Sequence, residues 1–132
     1  MSADRYVTGI ASEYFILSLL MRKGYEAYIT SGNKKSIDIR VVHENKTFSI
    51  DVKAVQGYSS LIVDNVRAKH NHFIFFVIYN NKFTDTTVLP ELYIVPSSEI
   101  EALTTSYGMH KRVMKGNLSK YLDNWQCLKY TE

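Results

Sequence analysis

Near the N-terminus, Tyr6, Ile10, Tyr14, Leu17, Leu20 and Met21 recur at helical spacing and form one apolar stripe. They predict a helix over about Asp4 to Lys23, with Ser2 or Asp4 as cap and Gly24 at the C-terminal stop. Glu13 falls inside that stripe. Tyr25 to Thr30 reads as a short strand, and a polar loop, Ser31 to Lys35, follows it. The pattern then changes to two alternating runs between Lys35 and Lys53, joined at the polar pair Glu44-Asn45. Phe73 to Tyr79 is a nearly unbroken apolar run, the mark of a strand buried on both faces. Leu92 to Val95 is another strand, stopped by Pro96. Ser98 and Glu101 match a capping box and predict a helix ending near Gly108. Leu118, Leu122, Trp125 and Leu128 predict a terminal helix, whereas Leu61-Ile62-Val63 is too short to assign. The order points to an α/β layer fold: a mixed central β-sheet with a leading helix and flanking C-terminal helices.

Composition narrows the class only a little. The 132 residues suit one domain, and 45% hydrophobic with 22% charged residues is ordinary for a globular chain and unlike a disordered one. A lone cysteine, Cys127, leaves no disulfide within the chain and reads as a small buried hydrophobe. Without a signal pattern or a membrane-length apolar run, the expectation is a cytoplasmic protein that does not contact membranes. A net charge of +3 is compatible with nucleic acid without requiring it.

The alternating stretch carries the chemistry. With Glu44-Asn45 as a two-residue loop, Val41 pairs with Phe48, Ile39 with Ile50, Ile37 with Val52, and Asp38 with Asp51. The apolar pairs share one face; Asp38, Asp51 and Lys53 share the other. Like charges directly opposed, with Cβ atoms roughly 5 Å apart, are destabilising unless something neutralises them. A divalent cation does so. Two carboxylates on an oxygen-loving ion, with a lysine two residues along the strand, form a phosphodiesterase-type arrangement.

Glu13 on a helix, Asp38 in the hairpin and the tripeptide Asp51-Val52-Lys53 together resemble the PD-(D/E)XK nuclease superfamily, of restriction-endonuclease-like fold. The resemblance covers roughly the first half of the chain, and Tyr93 to Ser97 with Trp125 resemble small prokaryotic members. Ile37 stands where the motif's name has proline, and Asp51 is the shorter of its two permitted acids. The resemblance implies Mg2+, with Mn2+ as a substitute, held by Asp38, Asp51 and the Val52 backbone carbonyl. It implies that Glu13 completes the shell directly or through water, and that Lys53 stands beside the attacking water. Gln56 would touch a phosphate or a metal-bound water, or else serve as a loop-capping amide. Glu13 has an alternative too, a structural salt bridge with Lys53.

Lys34 and Lys35 before Asp38, and Arg67 and Lys69 with His70 and His72 further on, supply basic clusters suited to phosphates. Lys111, Arg112, Lys115 and Lys120 form a third cluster that reads rather as ordinary solvated surface. His70 and His72 lack a third ligand for zinc and read as residues edging the next strand. Tyr25, Tyr28, Tyr58 and Tyr79 are of a type that stacks on bases, though most tyrosines here read as core and strand residues. The expectation is a metal-dependent endonuclease acting on DNA, with a homodimer the geometric route to cutting both strands. Two other readings stand beside it: a nuclease-fold nucleic-acid-binding module without significant activity, and a protein-interaction domain.

Overall fold

The computed structural model is described over residues 5–30, 38–64 and 66–130. The predicted caps Ser2 and Asp4, the loop lysines Lys34 and Lys35, and the Ile37–Val52 pair lie outside the described residues or include one that does. Helix α1 (Arg5–Arg22) leads into β1 (Glu26–Ile29), β2 (Ile39–His43) and β3 (Lys46–Val55). Strands β4 (Ser60–Ile62), β5 (His72–Ile78) and β6 (Glu91–Pro96) follow. The chain then forms a helical turn α2 (Ile100–Leu103), strands β7 (Thr104–Tyr107) and β8 (His110–Met114), and two 3-10 segments, Lys115–Tyr121 and Trp125–Tyr130.

The main sheet has the order β1-β2-β3-β5-β6, with β3 and β5 parallel and the other neighbours antiparallel. Glu44 and Asn45 sit at φ 51° and 66°, the left-handed pair that a tight two-residue hairpin needs. The resulting register is Ile39 with Ile50 and Val41 with Phe48, as the alternation implies. Both faces of the sheet are covered, which explains the unbroken apolar run of β5. Phe73, Phe75 and Val77 pack with Ile16 and Leu20 of α1, while Ile74, Phe76 and Ile78 pack with Leu61 and Val113 of a second sheet, β4-β8-β7.

Three expectations fail here. The stripe predicted to bury α1 is only partly buried: Leu20 is in the core and Leu17 packs against it, but Tyr6, Ile10, Tyr14 and Met21 are exposed, and the buried row is Thr8, Ser12, Ile16 and Leu20. The smaller pair, Thr8 and Ser12, lets the helix lie close to the sheet at one end, where Ser12 Oγ meets the Tyr79 hydroxyl at 2.9 Å. The helix predicted over Ser98–Gly108 is one turn only, without a side-chain cap. Thr104, Thr105, Ser106 and Tyr107 instead pair with β8 across a turn at Gly108, whose φ of +58° suits glycine. The terminal helix is two 3-10 segments broken at Asp123, with φ of 48°. Leu118 and Leu128 are buried on opposite faces of the sheet, which one amphipathic helix could not accomplish.

Candidate active site

The site forms where the β2–β3 ladder stops. Asp38 follows the polar loop, and its backbone is anchored three ways: its N–H donates to Ile50 O (2.8 Å), and its carbonyl accepts from Thr30 N (3.0 Å) and Thr30 Oγ1 (3.4 Å). Its carboxylate then reaches across and accepts the Val52 N–H at 2.7 Å. A strand residue directs its N–H and C=O to the same edge, so the Val52 carbonyl also faces this edge. Asp51, only 3% exposed, is brought within hydrogen-bonding reach of the Asp38 carboxyl.

Lys53 lies on the same face of β3, with Nζ 3.7 Å from Asp51 Oδ2. That distance is too long for a hydrogen bond, and Asp51 Oδ2 is buried without a hydrogen-bond partner. Burial raises the Asp51 pKa and the Asp38 charge adds to it; Lys53 and the more distant Lys69 oppose. Burial wins, and the carboxyl titrates at about 7. A buried carboxylate with one oxygen unsatisfied is unfavourable on its own and becomes favourable with a cation beside it.

Glu13 stands next to Ser12 on α1, half-buried. Its pKa is pushed up to about 7 by burial first and then by the charges of Asp38 and Asp51, so the three carboxyls share one electrostatic neighbourhood. They do not make a closed cage. Among the described residues no three His, Cys, Asp or Glu side chains are gathered closely enough to hold a metal ion by themselves. Helix α1 packs on one face of the sheet with Ile39, Phe48 and Ile50, and the alternation of β3 puts Asp51 on the other face. Two carboxyls with an orphaned buried oxygen and a backbone carbonyl fit an ion such as Mg2+ that keeps several waters.

Gln56 donates from Nε2 to Thr8 Oγ1 at 2.7 Å, which fastens the end of β3 to α1. Thr8 and Ser12 were not singled out in the sequence, although two small polar residues four apart in an apolar helix were the available signal; Tyr79, one of the tyrosines of base-stacking type, instead bonds Ser12. Lys69 is exposed, and its backbone exchanges hydrogen bonds with Ser97 Oγ at 2.9 and 3.0 Å; Arg67 is exposed on the same connection. His72 is buried in β5 with Nδ1 2.6 Å from Ser49 Oγ, and burial first and Lys69 second bring its pKa down to about 4. Burial pushes the Cys127 thiol up to about 12, consistent with an unreactive group. In the third basic cluster Lys115 pairs with Glu91 at 2.9 Å and Lys120 lies over the Tyr121 ring, so those two serve structure.

No family model and no curated protein sequence matches the chain. Its fold is nevertheless similar to that of a bacterial homing endonuclease, with a TM-score of 0.65 at 18% identity over 98% of this chain and 95% of that one. It is also similar to a Holliday junction resolvase from the archaeal hyperthermophile Archaeoglobus fulgidus, with a TM-score of 0.57 at 13% identity over 85% of this chain and 88% of that one. The chain has the restriction-endonuclease-like fold. In this chain the carboxyl pair lies at the last described pair of the β2–β3 ladder, beyond which β3 continues beside β5. No helix among the described residues is long and apolar enough to cross a membrane.

Proposed function

We propose that the protein is a metal-dependent endonuclease that hydrolyses phosphodiester bonds in DNA. One observation carries the reading: a nearly inaccessible Asp51 with an unpartnered oxygen lies against Asp38, and Lys53 stands beside Asp51. Asp38, Asp51 and the Val52 carbonyl would hold Mg2+, or Mn2+ in its place. When bound, the ion supplies Lewis-acid activation of a water and of the phosphate.

The chain's own residues do the rest. Asp38 is fixed by its backbone anchors and by Val52 N–H, so its carboxylate does not have to be ordered when substrate arrives. Lys53 stands beside Asp51, where it holds the attacking water and then stabilises charge developing on the phosphoryl oxygens. Glu13, with a pKa near 7, orients a water from the α1 side or takes up its proton. Gln56 holds α1 against β3 through Thr8, which keeps Glu13 in place. The basic residues Arg67 and Lys69, and Lys34 and Lys35 in the loop, are assigned to phosphate contacts. A homodimer would present two such sites to the two strands of a duplex.

The test is cleavage of supercoiled, branched and single-stranded DNA with Mg2+ or Mn2+, using wild type, Asp51→Ala and Lys53→Ala. Metal-dependent cleavage lost in both variants supports the reading. Salt-sensitive binding with no cleavage by wild type replaces it with a binding module, and neither cleavage nor binding leaves the protein-interaction domain.

A further inference from the structure

The β2–β3 ladder has Ile39–Ile50 as its last pair, while β3 continues to Val55 with β5 on its other side. Beyond Val52, whose N–H is taken by Asp38, β3 borders a cleft of about 620 Å³. The start of α1 forms one wall, with Arg5, Thr8 and Gly9; β4 and β8 form another, with Ser60 and Arg112; Lys53 and Gln56 line the floor. Among the described residues that line it, Arg5, Lys53 and Arg112 are cationic and none is a carboxylate. Cations gathered in a concave site without acids focus positive potential there and draw in anions.

Arg112 is oriented for such a role. Its Nη1 donates to Ser60 Oγ at 3.0 Å, which sets the plane of the guanidinium and leaves further N–H donors for phosphate oxygens. The acid that feels its charge, Asp64, is outside the cleft, and His110 and the Lys111 N–H hold it at 2.6 Å each. Arg5 is exposed at the first described turn of α1, and among the described residues no salt bridge within 4.0 Å engages it. Gly9 lines the same cleft, and a Cβ added there would meet nothing within 4 Å.

We infer that this cleft is the backbone-binding subsite of the nuclease: it seats the sugar–phosphate chain next to the scissile phosphate, with Arg5 and Arg112 holding phosphates from two different walls. The inference rests on the nuclease reading for its substrate class. It assigns binding to two arginines and a glycine outside the carboxylate–lysine set. Arg112 thereby separates from the structural Lys115 and Lys120 of its sequence cluster.

The 132-residue chain is titrated against a short fluorescein-labelled DNA duplex by anisotropy in EDTA, over a salt series. Arg5→Ala and Arg112→Ala should each weaken binding about three- to tenfold and lower the slope of log K against log salt by about 1. Gly9→Glu fills the cleft with a carboxylate and should weaken binding more than Gly9→Gln, which adds bulk alone. Neither should lower the melting temperature, because the space is open and both residues are better helix formers than glycine. Arg22→Ala, at the far end of α1, should change nothing. Unaltered affinity and slope in both arginine variants overturn the subsite even if the wild type cuts DNA. A wild type that binds no DNA overturns it as well. Weakened binding in a chain that never cuts upholds the subsite while the catalytic reading falls.

Discussion

Replacing Asp51 with asparagine removes one negative charge from a site where two carboxyls touch, and leaves the shape of the side chain intact. In the folded protein the Asp51 pKa rises from 3.8 to about 7, burial being the main cause and Asp38 a further one. The sign follows directly. Between these values the folded state holds a proton that the unfolded state has released, so stability falls as pH rises from about 4 to about 7 and is level above. Each unit is worth about 1.4 kcal/mol, so the metal-free protein at pH 8 carries a cost of at most ~4 kcal/mol. Relaxation and water entry reduce such costs in real sites, and about 2 kcal/mol is the expected figure. Asparagine removes that cost, and its amide donates to Asp38 in the way a protonated Asp51 would. Thermal melts in EDTA at pH 8 should therefore place Asp51→Asn above wild type by about 6 °C, at roughly 3 °C per kcal/mol for a chain of this length. At pH 5 the gain should be less than half as large, and it should close near pH 4. Adding Mg2+ should raise the wild-type midpoint and leave the variant's unchanged. A variant that melts at or below wild type at pH 8 would refute the reasoning, because Asp51 would then be the anion of a structural pair with Lys53.

Lys53→Ala should lower the single-turnover cleavage rate by about 10²-fold or more and leave the Mg2+-induced rise in melting temperature in place, since it removes charge stabilisation and no metal ligand. The folded pKa of His72, about 4 against 6.5, means that stability is lost as pH falls through that window. His72→Gln should flatten this loss in urea melts at pH 7 and pH 5, and an unchanged difference between the two pH values would contradict the assignment. Tyr79→Phe breaks the bond to Ser12 Oγ, which keeps its bond to Thr8 O at 2.7 Å, so the cost should be only about 1 kcal/mol in the same melts. Ile16→Ala, fully buried between α1 and the sheet, should cost about 3 kcal/mol.

The hairpin was legible in the sequence because strand alternation and turn chemistry are local. Glu44 and Asn45 favour the left-handed turn, the turn sets the register, and the register brings Asp38 to Asp51 and puts Lys53 on the face of Asp51. The double burial of β5 was legible for a similar reason: a run such as Phe73 to Ile78 is soluble only when both faces are covered. Tertiary structure decided which side of α1 meets the sheet. Hydrophobicity favoured Tyr6, Ile10, Tyr14 and Met21, yet close approach and the hydrogen bonds to Gln56 and Tyr79 select Thr8 and Ser12. It also decided the second half of the chain. Ser98 to Gly108 carries a helix signal, but β8 offers Thr104 to Tyr107 a strand partner, and that long-range pairing overrides the local preference. The cleft belongs to the same class. Arg5 and Arg112 are far apart in sequence and acquire a common environment only because α1 and the second sheet both border the end of β3.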